Sequence, residues 1–156
     1  MNKNLKTLII ILVSILVLFF TIIGASITMI IKSINKVSNA DYYNIGNDKI
    51  TSIAKVVGKR KINKVSTHRS KGVTTKEYQY VDIKDTRSDI DKYIEQLRKD
   101  NYISTSNIDL TRRSSTIELA TYSIDSTKII IINISYDLNS YTITIKKGPG
   151  SIQPYE

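Results

Sequence analysis

TIELATYSIDSTKIIIINISYDLNSYTITIKK, residues 116–147, is the stretch that decides the fold. It holds three β runs, Thr116 to Ile124, Lys128 to Leu138 and Tyr141 to Lys147, rich in the β-branched and aromatic residues that fit a pleated surface. Asp125-Ser126-Thr127 and Asn139-Ser140 supply turns between them, which predicts a three-stranded antiparallel meander. Tyr141, Ile143 and Ile145 alternate with Thr142, Thr144 and Lys146, the pattern of a sheet with one wet face. Ile129 to Ile132 form an unbroken apolar run, so the middle strand is expected to be central and covered on both faces.

A sheet with one apolar face needs a cover, and the sequence provides it upstream. Ile90, Tyr93, Ile94 and Leu97 fall at i, i+3, i+4 and i+7 and draw one apolar stripe on a helix. Ser88 with Asp91 reads as an acidic variant of the capping pattern, and Asp89 adds negative charge to the first turn. Arg98 and Lys99 suit the C-terminal end, with Asn101 as a left-handed stop. Further strands are expected at Tyr102 to Ile108, at Ile50 to Val57, and in a hairpin of Lys61 to Thr67 with Val73 to Ile83 around the turn at Ser70-Lys71-Gly72. In the last of these, Tyr78 and Tyr80 share a face. The predicted class is α+β, a mainly antiparallel sheet with one helix packed on it, behind an N-terminal transmembrane helix.

That helix is read from residues 7–31, 25 residues without a charge between Lys6 and Lys32. As a helix they would span about 37 Å, against about 30 Å of hydrocarbon core. The run exceeds the apolar region of a cleaved signal peptide, so an uncleaved signal-anchor is expected, with cleavage after Ser26 or Ala40 as the alternative. Lys3 and Lys6 on one side and Lys32 and Lys36 on the other nearly balance. The short, acid-free tail of residues 1–6 favours an N-terminus inside and a C-terminal domain outside. Thr7, Ser14, Thr21 and Thr28 recur every seven residues, with Gly24 and Ala25 on the same face. Small and hydroxyl residues in a stripe allow close helix approach in lipid, to a homodimer mate or a partner subunit. Ordinary tolerance of Ser and Thr in apolar helices is the competing reading. Residues 32–49 read as a juxtamembrane linker, 50–147 as the extracytoplasmic domain, and 148–156 as a flexible tail.

The formal charge of the 156-residue chain is +9, with 23 basic and 14 acidic residues. Four lysines flank the anchor, and the excess left to the domain is too mild for nucleic acid. Cysteine is absent, which excludes disulfides, thiolate metal sites and a cysteine nucleophile. The Ile-, Lys- and Asn-rich composition without Trp points to an AT-rich bacterial genome. His68, the single histidine, lies in a turn-like region without neighbouring carboxylates. Asp89, Asp91 and Glu95 are accounted for by capping and a solvent face. No phosphate loop, zinc spacing or calcium loop is present, so no catalytic residue, metal, cofactor or small-molecule substrate is assigned.

One charge anomaly remains. Lys55, Lys59, Arg60, Lys61, Lys64, Arg69, Lys71 and Lys76 occur with no acidic residue until Glu77. Presented on one face they would attract anionic lipid headgroups or acidic wall polymer. A solvated sheet edge, where lysines discourage edge-to-edge pairing, is the plainer alternative. The expected function is thus a non-enzymatic, single-pass protein of the bacterial cytoplasmic membrane whose outer domain binds or assembles with protein, with anionic-surface binding as the alternative.

Overall fold

The computed structural model of the chain describes residues 12–17 and 39–155. Residues 12–17 are helical and exposed, and belong to a unit, Met1–Ile34, separate from Asn35–Glu156. Of the predicted transmembrane contact stripe only Ser14 falls here; Thr21, Gly24, Ala25 and Thr28 lie outside the described residues. Among the described residues no helix is long and apolar enough to cross a membrane.

The second unit is α+β. Its elements are β1 (Tyr42–Ile45), β2 (Asp48–Thr51), α1 (Ile53–Val57), β3 (Lys61–Ser70), β4 (Val73–Val81), α2 (Thr86–Lys99), β5 (Ile103–Ser104), β6 (Ser115–Tyr122), β7 (Ile129–Tyr136) and β8 (Tyr141–Gly148). The main sheet has six antiparallel strands in the order β3-β4-β8-β7-β6-β5, and β1-β2 is a separate hairpin. The meander forms as its periodicity predicts. Ile132 sits opposite both Leu119 and Ile145, and Ile134 opposite Ile117 and Ile143, so one face of β6, β7 and β8 is apolar throughout. These residues share a single core with Tyr78 and Tyr80 of β4 and Ile90, Tyr93, Ile94 and Leu97 of α2.

The helix differs from its sequence reading at the start. Asp85 is the N-cap, and its carboxylate accepts from the Ser88 backbone N–H. Ser88 therefore lies inside the first turn, because the helix begins three residues earlier than the Ser88 pattern implied. The C-terminus ends as expected: Asn101 adopts φ 65°, Tyr102 N–H donates to Leu97 and Asn101 N–H to Arg98. This paired pattern satisfies the last carbonyls and brings buried Tyr102 onto Leu97.

Five further stretches depart from expectation. The region read as a linker holds the β1–β2 hairpin, whose alternation buries Tyr43, Ile45 and Ile50 around a Gly46-Asn47 loop with Gly46 at φ 62°. Ile50 to Val57 is a strand only to Thr51; Ser52 then caps α1, its Oγ accepting from the Lys55 N–H. The strand expected over Tyr102 to Ile108 is reduced to Ile103–Ser104. Strand β7 is interior to the sheet but fully covered on one face only: Ile130, Ile132 and Ile134 are buried, whereas Asn133 is half-buried and Ser135 exposed. Residues beyond Gly148, read as a loose tail, cross the outer sheet face at one end. A β-carbon at Gly150 would lie 2.8 Å from Ile129 Cδ1, and the Tyr155 N–H donates to the Ser104 carbonyl at 3.0 Å. That crossing explains why Ala120 and Ile129, on the outward side of their strands, are buried.

Candidate functional site

The basic run does not fold into one patch. Lys55 stands on α1, where its ammonium donates to the Tyr42 hydroxyl and lies 4.2 Å from that ring's centroid; the hydroxyl raises the Lys55 pKa above its ordinary value. Arg60 turns inward and forks onto Asp89 at 2.6 and 2.7 Å. This bond raises the Arg60 guanidinium further above its already high pKa. Lys61 pairs with Asp82, and Lys64 lies 3.9 Å from Glu77 on the outer face. Lys59 borders a cavity with Arg60, Lys61 and Lys84 that also holds Asp82, Asp85 and Asp89, so most of the charge at that end of the run is offset. Lys71, at φ 48°, and Gly72, at φ 79°, form the two-residue turn of the β3–β4 hairpin.

Arg69 and Lys76 are brought together by register rather than by sequence. Arg69 sits opposite Thr74, and Thr74, Lys76, Tyr78 and Tyr80 alternate onto the helix-covered side of β4. Lys147 pairs in register with Thr74, and Lys128 is two residues before buried Ile130 on the same side. These four cations line a cavity of about 240 Å³ with Gly46, Gly72 and Thr74. Lys128 and Lys147 lie outside the basic run, and only strand pairing reveals them.

A larger cavity, about 580 Å³, lies elsewhere, between the β1–β2 hairpin, the C-terminal end of α2 and the adjoining ends of β6 and β7. Buried Ile50, Tyr102 and Ile130 form its inner wall, and Lys49, Lys55, Gln96 and Asp100 contribute polar groups. Three large apolar side chains in its lining face solvent: Tyr42 at 40 %, Tyr122 at 60 % and Ile124 at 79 % exposure. No sequence pattern flagged this groove, since its lining comes from four separated segments.

Between the two cavities lies a buried ion pair. Asp48 accepts from Lys147 Nζ at 2.5 Å, the Ile124 N–H at 2.8 Å and the Ser123 hydroxyl at 2.9 Å. Burial alone would raise the Asp48 carboxyl, but these donors together hold it below the ordinary carboxylate value. Asp89, read from sequence as first-turn charge accounted for by capping and a solvent face, is likewise buried, and accepts from the Tyr141 hydroxyl at 3.3 Å as well as from Arg60. Behind it lies a tyrosine cluster. Tyr43 and Tyr80 share a 2.7 Å hydrogen bond, Tyr43 stacks on Tyr78 with centroids 4.3 Å apart, and Tyr93 donates to the Thr51 carbonyl. Burial pushes the phenols of Tyr43, Tyr80, Tyr93 and Tyr141 well up. These networks tie the hairpin, helix and sheet together. His68 is exposed on β3 opposite Thr75. Among the described residues, no group of three or more His, Asp or Glu side chains is placed to hold a metal ion.

No protein family, no curated protein and no solved structure matches the chain.

Proposed function

We propose that the chain is a non-enzymatic, single-pass membrane protein whose extracytoplasmic α+β domain binds another protein, or a second copy of itself, at the bacterial cell surface. The observation that carries this reading is the exposure of Tyr42, Tyr122 and Ile124 together on one groove. Single exposed apolar residues are ordinary, but aromatic and aliphatic groups gathered at a concavity with a polar surround are the composition of a protein-binding hot spot. What supports the anchor is the uncharged run of residues 7–31, and what supports the N-in orientation is the short acid-free N-terminal tail. The test is a photo-crosslinking amino acid placed at Tyr122 in native membranes, with Thr144 on the outer sheet face as control. A discrete protein adduct from position 122, absent from 144 and abolished by Ile124→Ala, is the expected result. Adducts equal at both positions, or none at 122, would reject the groove as the contact.

A second reading, binding of anionic lipid headgroups or acidic wall polymer, is favoured by the cavity that Arg69 and Lys76 share with Lys128 and Lys147. Of the wider Lys55–Lys76 segment, the Arg69 and Lys76 end borders a cavity whose lining holds no carboxylate, whereas the Lys59–Lys61 end borders one lined by Asp82, Asp85 and Asp89.

A further inference from the structure

We infer that the cavity at the tip of the β3–β4 hairpin is a binding site for a phosphate group, an inference that rests on the second reading above and gives it a location and a ligand chemistry. Four cationic side chains line one concavity of about 240 Å³. Two of them are neutralised in place: Lys147 by Asp48, and Lys128 by Asp125 at 2.7 Å, whose carboxyl that lysine and Thr127 hold down at about 2. Arg69 and Lys76 have no carboxylate within ion-pair distance among the described residues. The cavity therefore carries an excess of two positive charges, the complement of a phosphate dianion.

Its donors also fit tetrahedral oxygens better than a single carboxylate. Arg69 supplies a planar fork, Lys76 a mobile point charge and Thr74 a hydroxyl, from adjacent strands held in register. Gly46, at φ 62°, completes the wall without a side chain. Like charges gathered across neighbouring strands disfavour the empty fold, and an anion relieves that repulsion. The core ends at Tyr78 and Ile145, and the same sheet face continues into this basic concavity. The phosphate belongs to a lipid headgroup or to a soluble phosphate-bearing polymer, and both present the same chemistry here.

The experiment uses the full chain in uncharged detergent micelles, titrated with inorganic phosphate while the amide resonances of Gly46 and Thr74 are followed. Arg69→Ala/Lys76→Ala removes the unpaired cations, and Lys64→Ala/Lys146→Ala removes the same charge from the outer face. The expected result is saturable binding that shifts both resonances, weakens about tenfold or more in the first variant and changes less than about twofold in the second. Soluble poly(glycerol phosphate), and micelles doped with phosphatidylglycerol against phosphatidylcholine, then assign the source: each arm supports the site if its binding is lost with Arg69→Ala/Lys76→Ala. Equal weakening in both variants overturns the inference in favour of a diffuse field. Anion binding that survives Arg69→Ala/Lys76→Ala overturns the site while leaving the second reading standing elsewhere. No binding by the unaltered chain overturns both.

Discussion

Asp89 stands in the first turn of α2 with two hydrogen bonds from Arg60 and one from Tyr141, and its side chain is 7 % exposed against 29 % for Arg60. Removing one partner of such a pair leaves the other desolvated and unpaired. Asp89→Ala is therefore expected to lower unfolding stability by about 2–3 kcal/mol in urea titration. Arg60→Lys should recover little of the native value, because an ammonium cannot reproduce the fork; full stability in that variant would show the bidentate geometry to be incidental. The buried phenols make a second prediction. Their ionisation is raised in the fold, so above about pH 10 the unfolded chain sheds protons that the native chain keeps, and stability falls with rising pH. Tyr43, Tyr80, Tyr93 and Tyr141 should add their phenolate absorbance only on unfolding; their titration near pH 10 in the folded chain would contradict it. Neither role was legible in the sequence. Asp89 and Arg60 are 29 positions apart, and helical spacing exposes only neighbours three and four residues away.

The elements were legible in proportion to their length and regularity. The β6–β7–β8 meander and the apolar stripe of α2 each repeat a period several times, and both form where that period places them. The β1 and β2 strands have four residues each, set among Asn, Gly and Asp, and too few alternations to separate them from a linker. Their burial depends on the tyrosine cluster they meet, a tertiary partner that local pattern does not contain. The helix start illustrates the same limit at one residue: both Asp85 and Ser88 are N-cap residue types, and only the observed bond from the Ser88 N–H selects Asp85. Asp85→Ala should cost about 1 kcal/mol, and Ser88→Ala distinctly less, in paired denaturant curves. The C-terminal stretch has an element-scale test as well. Deleting residues 149–156 uncovers Ile129 and Ala120 and removes the bond to Ser104, so a loss of about 2 kcal/mol is expected, read as a lowered Tm. An unchanged Tm would mean that the tail does not cover the sheet in solution.

At the scale of the molecule, the Asp48–Lys147 pair joins the first hairpin to the last strand, with Asp48 lining the groove and Lys147 lining the basic cavity. Because its native carboxyl is depressed, the Asp48 contribution is complete above about pH 4 and disappears as pH falls through the lower native value. Asp48→Asn should lower stability at neutral pH and flatten the acid limb of the stability curve; an identical acid limb in the variant would exclude Asp48 as its source. The sequence could not show the groove of Tyr42, Tyr122 and Ile124 because concavity is a property of packed elements. It could show the uncharged run of residues 7–31, on which the proposed outward display of that groove depends. The absence of cysteine makes this the most direct point to test. Ser126→Cys places a single thiol on an exposed turn of the domain, to be labelled with a membrane-impermeant maleimide. An N-in anchor with the domain outside predicts labelling in intact cells equal to that after lysis, in a chain that stays with the membrane fraction at high salt. Labelling only after lysis would contradict the outward-facing domain and, with it, the proposed role at the cell surface.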